Sequence, residues 1–292
     1  MMDFSSTLSP IIAMQHRTVL EYKHYRYLKM AALVVVASIV AYLYQDAPVG
    51  KYGGTPVGYA LGTVAAAFIV WLMWFGVRKR QYSASLTSTQ GWLSAHVYFG
   101  AALIIVSSLH AGFQFGWNVH TLAYALLLIV VGSGFFGVYA YLRFPSQLTE
   151  NLGQDTRESL ALKVIDIDRD LQKFALLMPD NLAKSIDDSV HHTVIGGGVY
   201  NQLRRAHPRC ATLRTVKLIE SVTKDLALQG EQAQTLHKIY DSILRKQKIV
   251  ARIRRDIRLK AIMQIWLFFH VPLSFGLVAA LVAHIIAVFF YW

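Results

Sequence analysis

The chain has 292 residues, of which 54% are hydrophobic, and its mean hydropathy is +0.38. Only 16% of the residues are charged, whereas an ordinary soluble domain carries about 25%. Charged residues are missing from three long stretches: between Lys51 and Arg78, between Arg80 and Arg143, and after Lys260. This segregation excludes an ordinary soluble protein and indicates an integral membrane protein with one soluble insertion.

The formal net charge is +12, and the chain has one cysteine, Cys210. We attribute the basic excess to the Lys and Arg residues that membrane proteins keep on the cytoplasmic side, and we expect no nucleic-acid partner. A single cysteine excludes an internal disulfide and a self-contained iron–sulfur cluster, which needs several thiolates. Because no CxxCH motif is present, attached c-type haem is not expected, and any metal centre must depend on histidine.

The first part of the chain is predicted to form a surface segment followed by four membrane spans. Residues 1–29 combine basic residues, histidines and tyrosines, which predicts a short amphipathic segment at the cytoplasmic surface. Residues 30–143 contain four apolar stretches, at about 30–45, 57–77, 90–111 and 121–142. A membrane span needs about 20 such residues. Arg143 and Pro145 are predicted to end the fourth span.

Residues 144–260 are predicted to form a mostly helical insertion, which holds 20 of the 29 basic and 14 of the 17 acidic residues. Apolar residues recur in it at helical spacing, whereas 187–210 is predicted to be a loop. The basic run from Lys246 to Lys260 predicts either a juxtamembrane face attracted to anionic lipid or a docking surface for an acidic redox partner. The fifth span is predicted at 261–292.

The basic residues also predict the orientation of the chain. The N-terminus, Arg78 to Arg80, Arg143 and the basic run all fall on one side, while the other side has only Asp46 and Lys51. We therefore expect an integral protein of a bacterial inner membrane, with the N-terminus and the insertion in the cytoplasm and the C-terminus outside. The third and fifth spans then run in the same direction.

The third and fifth spans carry two histidines each at the same spacing: His96 and His110, and His270 and His284. Fourteen residues separate each pair along the chain, which brings both rings to nearly the same helix face and about 21 Å apart along the axis. In parallel helices His96 lies level with His270 near the inner side. His110 then lies level with His284 toward the outer side.

Histidine inside a membrane is costly unless it is paired, so each of these residues is a candidate functional group. Neutral imidazole is a good ligand for iron, and two facing histidines leave room for a planar macrocycle. The simplest alternative is a hydrogen bond between helices. A zinc or copper site would need ligands clustered within a few ångströms. His120, at the outer edge, is a candidate partner for a haem propionate or a quinone, or an ordinary interfacial residue.

The motifs HVYFGAALIIVSSLH and HVPLSFGLVAALVAH resemble those of the di-haem membrane cytochromes b. The architecture is most similar to the transmembrane domains of ferric reductases and NADPH oxidases, and the histidine spacing also resembles that of respiratory cytochromes b. The resemblance implies two b-type haems. Their axial ligands would be His96 and His270 for the inner iron, and His110 and His284 for the outer iron.

Together these features predict an all-α membrane protein in which five transmembrane helices form a haem-binding bundle, with the insertion between spans four and five. The expected function is electron transfer across the bilayer. Because the chain lacks flavin, iron–sulfur and nucleotide motifs, we expect it to work in lipid as part of a hetero-oligomeric complex. Its partner would be a soluble or peripheral flavoprotein, iron–sulfur protein or c-type cytochrome, with quinone as a candidate acceptor.

Two alternatives remain at this point. The bundle could be a transmembrane ferric or oxygen reductase core fed by a cytosolic reductase. A different class is a histidine-based proton-coupled transporter or sensor. Against the second alternative, no Asp, Glu, Lys or Arg lies well inside any predicted span, whereas proton and ion pathways usually recruit carboxylates.

Overall fold

The computed structural model describes residues 20–47, 50, 52–78, 89–203, 210–225 and 231–290. Every regular element within these residues is a helix, as predicted for an all-α protein. The nine described helices are α1 (Tyr22–Tyr44), α2 (Pro56–Arg78), α3 (Thr89–Ala111), α4 (Val119–Leu152), α5 (Arg157–Ala175), α6 (Asp180–His191), α7 (Val199–Leu203), α8 (Ala211–Asp225) and α9 (Glu231–Phe290).

Five of these helices, α1 to α4 and α9, are long and apolar enough to cross a membrane. The first three have 23 residues each, which gives a length of about 34 Å. The hydrocarbon core of a bilayer is about 30 Å thick. The prediction of a five-span, all-α integral membrane protein is therefore confirmed.

The chain divides into two compact units. The first takes the residues up to Ser146 and those from Ile265 onward, and the second takes Gln147–Gln264. The second unit begins three residues later and ends four residues later than the predicted insertion, 144–260. Both α4 and α9 contribute residues to both units.

Helix α3 is the most buried span of the first unit. In its apolar window 39% of the residues are buried, against 11% to 17% in the other four spans. Phe99 of α3 stacks on Phe68 of α2 with ring centroids 5.0 Å apart, and Trp92 stacks on Trp71 at 4.8 Å. Such aromatic pairs add about 0.5–1.5 kcal/mol to the burial of their surface. Because α3 packs against both α1 and α2, its side chains are held from two directions.

Helix α1 begins at Tyr22, inside the segment 1–29 that is predicted to lie at the membrane surface. Lys23, His24 and Tyr25 have φ angles of 45°, 56° and 60°, a left-handed conformation that is costly for residues other than glycine. Regular right-handed helix therefore begins only at Arg26. The part of the predicted surface segment at 1–19 lies outside the described residues.

The prediction that the fourth helix stops at Pro145 is wrong. Helix α4 continues through Pro145 to Leu152. A proline inside a helix removes one backbone hydrogen bond and crowds the preceding turn. Here the hydroxyl of Ser146 donates to the Arg143 carbonyl at 2.9 Å, so a side chain supplies a hydrogen bond beside the interruption.

The second unit is held together by two apolar clusters. The members of the larger cluster come from α5, α6, α8 and α9: Leu171, Leu182, Ile186, Val216, Ile219, Leu236, Ile239 and Ile243. The smaller cluster contains Leu160, Val164, Val250 and Ile253. Helix α5 begins with a capping box in which Thr156 and Ser159 each accept the other's backbone N–H, which satisfies two donors that a helix start leaves open.

The predicted loop at 187–210 is helical at its beginning and again in α7. Helix α6 continues to His191 because its buried face extends into this region: Ser189 is fully buried and Val190 packs against the larger cluster. On the exposed face, His191 lies 3.3 Å from Asp187, one turn earlier. Such contacts support a helix end.

Part of the basic run at 246–260 is buried inside the second unit, so only its exposed members remain for a juxtamembrane face or a docking surface. Lys246 is fully buried, and its Nζ lies 2.5 Å from Asp168 Oδ1 and 2.5 Å from the Ser189 carbonyl. Burial lowers the pKa of Lys246, and its contact with Asp168 opposes that shift. Arg252 donates to the carbonyls of Asn151 and Leu152 at 2.7 Å each.

Arg254 is also directed inward, toward the only cysteine. It donates to the Val194 carbonyl and to Cys210 Sγ, the latter at 3.1 Å. Burial acts to raise the pKa of the Cys210 thiol, but the hydrogen bond and charge of Arg254 outweigh it, so this pKa lies below its usual value. Cys210 is only 3% exposed and therefore reacts with a solvent reagent only when the unit opens.

Replacing Asp168 with alanine should destabilise the second unit by about 3 kcal/mol, because the ammonium of Lys246 is left buried without its carboxylate. The population of opened molecules then rises about 100-fold. The measurement is the rate at which a thiol reagent labels Cys210 in the detergent-solubilised protein.

The control is Asp170→Ala on the same helix. The Asp170 side chain is 59% exposed and contacts Lys173 one turn away, and such surface pairs contribute about 0–1 kcal/mol. Equal labelling rates in the two variants would contradict a stabilising role for the buried pair.

Candidate functional site

The first unit brings the four predicted histidines together at two levels, named inner and outer after the predicted orientation. At the outer level the rings of His110 on α3 and His284 on α9 lie 6.0 Å apart between centroids, with their planes at 72°. At the inner level the imidazole of His96 is close enough to that of His270 for an electrostatic interaction. The last part of α9 therefore runs parallel to α3. The assignment of these residues as iron ligands stays a prediction.

His110 is held by the backbone of α2. Its Nδ1 lies 2.8 Å from the carbonyl oxygen of Gly58. A carbonyl oxygen can only accept, so Nδ1 carries the proton and Nε2 keeps a free lone pair. The close approach needs glycine, since a Cβ at Gly62 would lie 2.6 Å from His110 Cε1 and one at Gly53 would lie 3.3 Å from it.

His270 is held by Ser133 of α4, with 2.6 Å between its Nδ1 and the serine Oγ. Ser133 donates its single hydroxyl proton to the Val130 carbonyl at 2.8 Å. Its oxygen therefore accepts from His270, and the proton again resides on Nδ1. His270 and His110 thus present the same tautomer, in which Nε2 is unprotonated.

Trp266 fixes the orientation of the His270 ring from one turn away. The two rings are stacked, with centroids 5.2 Å apart and planes at 30°. The indole Nε1 donates to the Ser133 carbonyl at 2.8 Å, so Ser133 contacts both aromatic side chains. Gly137 makes room for the indole: a Cβ there would lie 2.2 Å from Trp266 Cζ2.

The remaining two histidines differ from His110 and His270. The Nδ1 atoms of His96 and His284 are both buried and have no hydrogen-bond partner among the described residues. The His96 imidazole does contact the backbone of Leu72 on α2, but this contact does not satisfy its Nδ1. A buried polar nitrogen without a partner is uncommon in native proteins.

The ring separation at the outer level matches that of two ligands on one metal ion. Metal–nitrogen bonds of about 2 Å to both Nε2 atoms, added to the radius of each imidazole, place the ring centres about 6 Å apart. The observed value is 6.0 Å. The distance between the rings of His110 and His284 is therefore compatible with one metal ion between them.

The outer pair also adjoins a cavity of about 980 Å³, lined by both of its histidines. This volume lies at the upper end of the range for pockets that hold organic ligands, about 300–1,000 Å³. At the inner level, Gly100 follows His96 by one helical turn, and a Cβ there would meet no atom within 4 Å. The cavity adjoins the outer pair, so more observations support a haem at the outer level than at the inner level.

His120 lies near the start of α4, and its contact with His284 could not be foreseen from the sequence. Its ring centroid lies 4.2 Å from that of His284, with the planes at 69°, and it lines the same cavity. This separation leaves no room for a metal ion between the two rings, so His110 and His284 remain the pair that fits iron. The only sequence signal for this contact was that His120 stands at the end of a short loop without charged residues.

No group of three or more His, Cys, Asp or Glu side chains among the described residues has the arrangement of a metal site. His191 and His192 instead lie near Asp187 and Asp188, at 3.3 and 3.6 Å.

Comparison with known proteins finds no matching family model, curated protein or solved structure. The functional argument therefore depends on the residues of this chain alone.

Replacing Gly137 with alanine should destabilise the first unit, because the new Cβ would overlap the indole of Trp266. Overpacking of this kind typically costs about 1–3 kcal/mol. The expected result is a lower unfolding temperature of the detergent-solubilised protein. Gly76→Ala is the matched control, since a Cβ at Gly76 meets no atom within 4 Å. Unfolding of both variants at the wild-type temperature would contradict the close contact between Gly137 of α4 and Trp266 of α9.

Proposed function

We propose that this protein is a membrane-bound di-haem b-type cytochrome that carries electrons across the bilayer as a subunit of an oxidoreductase complex. The main support is the hydrogen bonding of His110 and His270. Each donates its Nδ1 proton to an acceptor on a neighbouring helix, Gly58 O or Ser133 Oγ, and keeps the Nε2 lone pair free. Histidines that bind metals almost always have this arrangement.

Four side chains would hold the two cofactors. His96 and His270 would be the axial ligands of the inner haem, and His110 and His284 those of the outer haem. When bound, each haem supplies a centre that accepts and releases one electron. For His110 and His270, the protein's contribution is to fix the neutral tautomer in which Nε2 keeps its lone pair.

The region between the two levels is packed and apolar, which keeps water away from the path between the centres. Leu103 and Val106 of α3 are at most 2% exposed, and Leu127 of α4 and Leu277 of α9 belong to the same cluster. Because burial and axial ligands together set haem potentials, the packing of this layer should affect both centres.

The partners follow from what remains exposed on the second unit. Arg245, Lys248 and Arg255 of α9 are exposed and fall on one helix face by their spacing, whereas Lys246 is buried. This smaller basic face supports docking of an acidic flavoprotein, iron–sulfur protein or c-type cytochrome. Quinone is the proposed lipid-phase reactant. The basic-residue bias favours the N-terminus and the second unit on the cytoplasmic side.

The wild-type protein should contain two b-type haems per chain, and single histidine variants should each lose one of them. His96→Ala and His270→Ala remove the same haem, while His110→Ala and His284→Ala remove the other, because each variant deletes one of two axial ligands. Haem is quantified by pyridine haemochrome and by reduced-minus-oxidised difference spectra of the purified protein.

His191→Ala is the control, since this histidine belongs to the second unit and should leave both haems in place. Folded wild-type protein from haem-replete membranes that shows no b-type bands would contradict the proposal. Loss of both haems in every membrane-histidine variant would contradict the division into two independent pairs.

Gly62→Ala should selectively reduce the outer haem. Its Cβ would lie 2.6 Å from His110 Cε1 and 2.9 Å from Nδ1, so the ring must move and the bond to Gly58 O lengthens. The expected content is close to one haem per chain, with the spectrum of the inner haem retained. Gly76→Ala, on the same helix, should keep two haems. Full haem content in both variants would show that His110 does not bind in the orientation seen here.

A further inference from the structure

His284 is the histidine of the outer pair whose Nδ1 lacks a partner. His110 Nδ1 lies 2.8 Å from the Gly58 carbonyl, and at the inner level His270 Nδ1 lies 2.6 Å from Ser133 Oγ. The Nδ1 of His284, like that of His96, is buried and has no hydrogen-bond partner among the described residues. A polar nitrogen in an apolar membrane interior is costly when it is unsatisfied, and an axial ligand without a second hydrogen bond is free to rotate.

The ring of His120 is well placed to be the missing partner. Its centroid lies 4.2 Å from that of His284 and the planes are at 69°. An N–H···N hydrogen bond between two imidazoles separates the ring centres by about 5 Å. Moving from the observed contact to a hydrogen bond therefore requires only a small shift of one ring. His120 is exposed at the second residue of α4, so its side chain has room to make that shift.

We propose that His120 is a positioning residue for the outer centre: its neutral ring accepts the Nδ1 proton of His284 and fixes the direction of His284 Nε2. This inference rests on the proposed function, because it assigns His284 as an axial ligand. It gives His120 a role distinct from that of His110, which faces His284 at the distance of a shared metal ion.

The hydrogen bond has two measurable consequences. A ligating imidazole that donates a hydrogen bond becomes a stronger electron donor, and a stronger donor favours ferric over ferrous iron, which lowers the potential. Loss of such a partner also weakens metal binding, typically by about 10- to 100-fold. Both effects should be confined to the outer haem.

The experiment compares His120→Ala and His120→Gln in the purified full-length protein. In His120→Ala the outer haem should be lost about 10- to 100-fold more readily and should titrate at a higher potential, with an altered low-spin EPR signal. The inner haem should not change. In His120→Gln the side-chain carbonyl can accept the same proton, so potential, retention and EPR signal should return toward the wild-type values.

Two further variants make the result specific. Leu122→Ala changes a 56% exposed residue of the same helix and should leave both haems unchanged. Ser133→Ala removes the corresponding acceptor of His270 and should raise the potential of the inner haem alone.

The outcomes separate the inference from the function on which it rests. Two haems in the wild type with unchanged outer potential, retention and EPR signal in His120→Ala would overturn the role of His120 and leave the cytochrome intact. A change in His120→Ala that His120→Gln fails to reverse would also overturn it, because the role requires an acceptor. Absence of b-type haem from the wild type would overturn the proposed function itself.

Discussion

The first unit depends on one constraint: a nitrogen–hydrogen group in the membrane interior must find an acceptor. The protein meets it by directing histidine rings at the backbone or hydroxyl groups of neighbouring helices. His110 uses the carbonyl of Gly58, and His270 uses the hydroxyl of Ser133. The bond that satisfies Nδ1 also determines which nitrogen keeps a lone pair. The contacts that stabilise these rings in lipid therefore also set the tautomer that the proposed haems would require.

Close helix packing makes these contacts possible. Helix α3 is the most buried of the five spans, and glycines on its neighbours allow rings to approach a backbone. A Cβ at Gly62 would overlap the ring of His110, and one at Gly137 would overlap the indole of Trp266. Small residues are common where membrane helices meet because they shorten the distance between backbones. In this bundle they also set the position of the imidazoles.

In the second unit, buried charged side chains likewise have partners. Lys246 belongs to a run of basic residues, yet it is fully buried against Asp168 and the Ser189 carbonyl. Asp256 is equally buried and contacts Arg157 at 3.4 Å and Lys260 at 3.0 Å. Breaking a buried pair is far more costly than losing a surface pair. These residues therefore specify how α5, α6 and α9 pack, and only the exposed basic residues remain for a partner.

The sequence by itself determined the five spans, the helical character of the insertion and the spacing of the four histidines, because these depend on local composition and on the 3.6-residue period. It could not reveal which atoms satisfy each ring. Gly58 and Leu72 act through their backbones, and a backbone acceptor leaves no mark in a sequence. The contact of His120 with His284 and the burial of Lys246 were likewise decided by tertiary packing, because each depends on residues distant in the chain. The continuation of α4 through Pro145 could not be foreseen either, since a proline usually ends or kinks a helix.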